Sequence, residues 1–185
     1  MKQLGMFFVS AVLATFAAGA AEFPVVGPWR VDFPARGWVP ASVTMPKLLA
    51  WKDAFDDSRK YHSGAARYFS GKGVYHARFV WRDLPEGAVR LELGRVCDKV
   101  LKVTLNGTCL EVSKTAPFTA EARSALVEGI NELVVEVESS PFNAKVYQAA
   151  TLYGRDRKAG EAYPDPSAPL EDNGLMGPVK FVYDR

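Results

Sequence analysis

Four stretches between Tyr75 and Val137 alternate apolar and polar residues with a period of two, and turn chemistry separates them. Tyr75, Ala77, Phe79 and Trp81 share one face while His76 and Arg78 point the other way. Val89, Leu91 and Leu93 alternate with Arg90 and Glu92, and Leu101, Val103 and Leu105 with Lys102 and Thr104. Leu133, Val135 and Val137 alternate with Glu132, Glu136 and Glu138. This is the periodicity of strands buried on one face only. Leu84-Pro85-Glu86-Gly87, Asn106-Gly107 and Glu128-Gly129 supply the turns, and Asn-Gly between alternating runs is the strongest short-range hairpin signal. Short antiparallel strands about ten residues apart, with little helical periodicity, predict an all-β fold: an antiparallel jelly-roll β-sandwich. An edge strand is expected over 29–33, and a last strand carries Val179, Phe181 and Tyr183. Residues 34–66 and 154–174 read as long loops, the first with at most a turn of helix near 52–57.

The first residues bear on compartment. Met1-Lys2 supplies a positive start, Met6 to Phe16 is almost wholly apolar, and Ala18-Gly19-Ala20 has the small residues of a cleavage site. Residues 1–20 are therefore read as a secretory signal peptide, too short to span a bilayer, and residues 21–185 as one domain. The expected location is secreted or periplasmic, with no membrane association after cleavage. The formal charge is only +2 and its basic residues are scattered, which gives no footprint for nucleic acid. Cys97 and Cys109 are not expected to bridge. With Leu105 opposite Thr108, Cys109 faces Thr104, and Cys97 lies about seven residues further, over ~20 Å away. Both thiols are read as free and mostly buried.

Catalytic signatures are sparse. Glycoside hydrolysis needs two carboxyl groups flanking one bond, and Glu136 and Glu138 lie about 6 to 7 Å apart on one strand face. That spacing is generic to any strand with alternating glutamates, so a solvated sheet face is the expectation. With His62 and His76 as the only histidines, and no nucleophile elbow, zinc motif or phosphate loop, the chain is read as non-catalytic. No cofactor is called for, although Asp53, Asp56 and Asp57 offer oxygen ligands for a structural calcium ion without EF-hand spacing. Sugar rings stack on aromatic faces while amides, acids and guanidinium groups take the hydroxyls. Trp38, Trp51, Tyr61 and Phe142, in loop-like positions, are the candidate platforms, with Arg95, Asn106, Lys114 and Asn143 as polar partners.

An ordered set of motifs adds a resemblance. Trp51 is followed by acidic residues, then come Tyr68-Phe69-Ser70-Gly71, Tyr75 and Phe79, Leu91-Glu92-Leu93-Gly94-Arg95-Val96, and Val103-Thr104-Leu105-Asn106-Gly107. Ala116-Pro117-Phe118, Gly129-Ile130-Asn131-Glu132-Leu133 and Gly174-Leu175-Met176-Gly177-Pro178-Val179 complete it. Together they resemble the galactose-binding-like jelly roll, the sugar-binding domain of glycoside hydrolase family 2, above all the version at the C-terminus of α-L-rhamnosidase-like enzymes. Two places depart from that pattern. Glu111, Val112 and Ser113 precede Lys114 where the family shows a Gly and a Trp-Lys, and Phe142-Asn143-Ala144 lacks the family's Arg. The resemblance implies a non-catalytic carbohydrate-binding or accessory domain. Its expected partners are a glycan or polysaccharide and a separately encoded glycoside hydrolase. A structural or protein-docking remnant of a multidomain glycosidase is the alternative, and a small hydrolase the third reading.

Overall fold

The computed structural model describes residues 19–34, 39–56, 62–151 and 162–184, without the side chains of 62–64. Two antiparallel sheets face one another. The larger has the order β3 (Ser42–Met45), β2 (Trp29–Asp32), β4 (Lys72–Trp81), β10 (Gly129–Glu138), β7 (Lys99–Leu105) and β8 (Thr108–Leu110). The smaller has the order β1 (Ala20–Pro24), β12 (Lys180–Asp184), β5 (Val89–Glu92) and β9 (Thr119–Glu121). A two-stranded ribbon, β6 (Arg95–Val96) with β11 (Leu175–Gly177), closes one end. The molecule is an all-β sandwich, as the alternation predicts.

The inward residues of β4 and β10 form the centre of the core. Tyr75, Ala77, Phe79 and Trp81 on one strand and Leu133, Val135 and Val137 on the other are all buried. These two strands pair without a break from Gly129↔Trp81 to Glu138↔Lys72. Aromatic rings then join the sheets: Phe23 of β1 stacks on Trp81 at 4.4 Å, and Phe181 of β12 meets Trp81 at 5.4 Å and Phe79 at 5.3 Å. Of these, the buried Phe79, Trp81 and Phe181 each contribute on the order of 1.5–3 kcal/mol of transfer free energy.

The Asn106-Gly107 hairpin forms as expected, with both residues at positive φ (52° and 81°) and Leu105 opposite Thr108. The Asn106 amide does more than turn the chain. Its Nδ2 donates to the carbonyl of Ala125 (2.8 Å) and to Oδ1 of Asn131 (2.7 Å), and its Oδ1 accepts from the amide of Glu132 (2.9 Å).

Four expectations need correction. Residues 29–32 do not form an edge strand, because Ser42–Met45 pairs outside them and β2 lies between β3 and β4. Leu101 does not join Val103 and Leu105 in the core. The register between β10 and β7 shifts from Glu136↔Lys102 to Val137↔Val100, so Leu101 is an extra, bulged residue and is 40% exposed. A one-residue slip exchanges the two faces of a strand. Leu101→Ser should therefore change stability by less than about 0.5 kcal/mol, and Leu105→Ala should cost about 2–5 kcal/mol, read by urea denaturation. Cys97 and Cys109 are free, but Cys109 is exposed on the outer strand β8 and Cys97 is half-buried, so neither sits in the core.

The fourth correction concerns residues 142–151, which form a helix, α2 (Phe142–Thr151), where a loop with a projecting aromatic was expected. Its buried residues, Asn143, Val146 and Ala149, recur every three positions, and two of the three are small or polar. Its first turn is satisfied from elsewhere: the amide of Ala144 donates to Ser70 Oγ at 3.1 Å, across 74 residues of sequence. A shorter helix, α1 (Trp51–Ala54), and a 3-10 segment, His62–Tyr68, lie within the other irregular region.

Candidate functional site

Among the described residues, most of the sequence-predicted binding positions gather at one end of the sandwich, where β4 begins, β10 ends and the segment 170–177 is bonded to the sandwich. The centre of this end is a hydroxyl group. Tyr75 Oη accepts from Trp51 Nε1 at 2.6 Å and from the backbone amide of Leu175 at 3.0 Å. All three groups are buried, and burial pushes the Tyr75 phenol well above its ordinary pKa, so it stays protonated. The Trp51 amide donates in turn to the carbonyl of Asn173 (3.0 Å), and its ring packs edge-on to Phe33 (5.5 Å) and against Phe69 (5.2 Å).

Trp51 was expected to present its ring to a sugar. It is 0% exposed, so its faces are already covered by Phe33 and Phe69, and it is removed from the candidate platforms. Asn143 needs the same correction. It too is 0% exposed, and its amide closes a two-way pairing with the backbone of Glu171: Nδ2 donates to the carbonyl and Oδ1 accepts from the amide, both at 2.9 Å. This imitates a strand pair, and it fastens the crossing segment to α2.

Arg95 is exposed but engaged. Its guanidinium pairs with Asp172 and reaches Met176 Sδ at 3.1 Å. Lys52 holds the other Asp172 oxygen at 2.7 Å and also donates to the carbonyl of Leu170 at 2.9 Å. Asn173, buried, donates from Nδ2 to the carbonyl of Phe69 (3.2 Å), and the amide of Cys97 donates to the carbonyl of Gly174 (3.0 Å). Residues 171–175 are thus tied to the sandwich at every position. Three residues expected to meet a ligand, Trp51, Arg95 and Asn143, serve this strap.

Lys52's hydrogen bond, aided by the charges of Lys52 and Arg95 and opposed by slight burial, holds Asp172 below the usual carboxylate range. A carboxyl whose folded pKa is lowered stabilises the fold fully above its unfolded value, near 4, and that contribution is lost as pH falls through the folded value. Amide protection of residues 170–175 should accordingly fall as pH drops below about 4. In Asp172→Asn it should be weaker at neutral pH and lose this acid-dependent step, as hydrogen exchange would show.

Phe142 is half-buried at the start of α2, beside a depression of about 470 Å³ whose walls include Ser70, Asp98, Lys99, Glu138 and Ser140. A smaller one, about 210 Å³, lies between Leu48, Asp53, Arg95 and Asp172. Lys114 stands exposed in the loop joining β8 to β9 and lines neither. Trp38 and Tyr61 lie outside the described residues. Glu136 and Glu138 face cross-strand lysines, Lys102 for the first and Lys99 and Lys72 for the second, the usual complement of acids on a sheet face. Among the described residues no three His, Cys, Asp or Glu side chains gather as metal ligands. Asp56 pairs with Arg67 and Asp53 is exposed, while Asp57 is outside the described set. Lys52, Ser70, Asp172 and Asn173 were not singled out from the sequence, because nothing local marks residues that meet across more than 70 positions.

No protein-family model and no curated protein matches the sequence. Among solved structures, the fold matches part of a rhamnosidase from Novosphingobium sp. PP1Y with a TM-score of 0.73 and 25% identity, over 94% of this chain and 16% of that one. It also matches a β-glucuronidase from Ruminococcus gnavus, with a TM-score of 0.59 and 18% identity over 88% of this chain and 28% of that one. The β-glucuronidase bound to C6-substituted uronic isofagomine gives a TM-score of 0.59 and 19% identity, over 89% of this chain and 29% of that one. The chain thus spans less than a third of each of these proteins, and the expected kinship with a domain of rhamnosidase-like and family 2-like glycosidases holds at the level of the fold.

Proposed function

We propose that this chain is an exported, non-catalytic accessory domain of a glycoside hydrolase system that engages carbohydrate. The observation that carries the reading is one of proportion: 94% of the chain aligns with a piece amounting to 16% of a rhamnosidase. A unit that small within a glycosidase is more naturally a partner of the catalytic machinery than its seat. The lysine-faced Glu136 and Glu138 support the non-catalytic part, and the signal-like residues 1–20 support export.

Affinity electrophoresis in gels cast with plant and host polysaccharides tests the carbohydrate part. The folded protein should be retarded in at least one gel and should release no chromophore from aryl glycosides. Retardation in none would sink the binding reading, and hydrolysis abolished by Glu136→Gln would sink the non-catalytic one. N-terminal sequencing of protein recovered from an exporting host should begin near residue 21.

A second reading, docking onto a separately encoded glycoside hydrolase, is favoured by an apolar depression between Pro24, Val26, Pro46, Leu48, Met176 and Pro178. Val26 is 71% exposed there. Co-purification with a hydrolase in the absence of any glycan retention would select that reading.

A further inference from the structure

The face of the larger sheet that looks away from the core carries a groove, remote from the strap, with several charged side chains in its walls. Cross-strand pairing places Thr44 beside Arg30 and Arg30 beside His76, on β3, β2 and β4. Arg78 follows His76 on the same face two residues along β4, opposite Glu132 of β10. These side chains and Pro28 enclose about 600 Å³, more than either depression at the strap.

The charged groups here differ in how firmly they are held. Asp32 Oδ2 accepts from Arg30 Nη2 at 2.6 Å and lies 3.1 Å from His76 Nε2, so one carboxylate fixes the positions of both side chains. Arg78 is 75% exposed, and its nearest approach to Glu132 is 3.5 Å, beyond the usual N–H···O range. A guanidinium presents several N–H donors in a planar fork that matches a carboxylate bidentately. Arg78 is therefore an acid-binding group whose own partner grips it loosely, set beside Arg30, His76 and the Thr44 hydroxyl.

We infer that this groove binds a saccharide bearing a carboxylate. The ligand carboxylate takes the Arg78 fork in place of Glu132, and ring hydroxyls meet His76, Thr44 and Arg30. The inference rests on the reading that the chain engages carbohydrate, and adds where and of what class. Among the described residues no Phe, Tyr or Trp lines the groove, and its charged side chains make binding depend on ion pairing that weakens as salt is raised.

Isothermal titration with galacturonate, glucuronate and mannuronate trisaccharides and their neutral methyl esters tests it. At least one acid form should bind about tenfold more tightly than its ester, a preference that Arg78→Ala removes and Arg78→Lys partly restores, since a lysine keeps the charge without the fork. Because Arg78 is exposed, the alanine variant should fold, which its unfolding transition would verify. Equal affinity for acid and ester, or tight acid binding indifferent to Arg78→Ala, overturns the inference while leaving the carbohydrate reading intact. A wild-type protein that binds none of these sugars but is retained by neutral polysaccharide does the same. A folded protein that binds no saccharide at all overturns both.

Discussion

Tyr75→Phe is expected to destabilise the domain by about 2–5 kcal/mol, although it removes one oxygen atom from a side chain that keeps its ring in place. That oxygen accepts from two buried donors, Trp51 Nε1 and the amide of Leu175. Without it both N–H groups are buried and unsatisfied, at about 1–3 kcal/mol each, while the ring packing is unchanged. Trp51→Phe should cost less through hydrogen bonding, because it removes a donor and leaves the phenol its bond to Leu175. Urea denaturation of both variants and of the double variant would measure the coupling. A loss below about 1 kcal/mol for Tyr75→Phe would show that this hydroxyl does not anchor the strap.

Gly174→Ala should be at least as damaging, at about 2–6 kcal/mol, and for two separable reasons. Gly174 has φ of +96°, and an added Cβ would lie 2.5 Å from Tyr75 Oη and 2.6 Å from Trp51 Nε1. Both atoms belong to rigid, buried side chains that have no room to retreat. Gly107 provides the comparison: its φ is +81°, but a Cβ there would meet nothing within 4 Å. Gly107→Ala should therefore show the backbone strain alone, about 1–3 kcal/mol. The difference between the two variants, read from unfolding midpoints, isolates the steric part. Equal losses would mean that Trp51 and Tyr75 move aside.

Strands with one wet and one dry face were legible because alternation records burial residue by residue. Alternation places Tyr75, Leu91 and Leu133 in the core, and all three are fully buried. Leu101 was misread because a bulge changes the count without changing the pattern, and only the partner strand shows where the slip occurs. Helix α2 left little trace, since one of its buried residues is the polar Asn143, bonded to the strap, and Ser70, far away in sequence, accepts from an amide of its first turn. Trp51 shows the limit for the site. An aromatic in an aperiodic stretch can serve a ligand or the core, and the groups that decide, Tyr75 and Asn173, lie 24 and more than 100 residues away. The groove on the sheet face was hidden differently. Alternation turns His76, Arg78 and Glu132 outward, but Thr44 lies in a stretch that reads as loop, and cross-strand neighbours such as Arg30 and His76 become visible only once β2 is seen to pair with β4.

The pairing of β1 with β12 sets Ala20 directly opposite Asp184. Two residues so paired are separated by only about 5 Å between Cα atoms, so the polypeptide enters and leaves this body through a single doorway. Such a body can be spliced into an exposed loop of a larger host as a cassette, because the host need not stretch or reroute to accommodate it. The same doorway would let Ala20 be linked to Asp184 and the chain be reopened at Glu86-Gly87, which is exposed and where Gly87 has nothing packed against it. Domain shuffling would thus demand little of this scaffold.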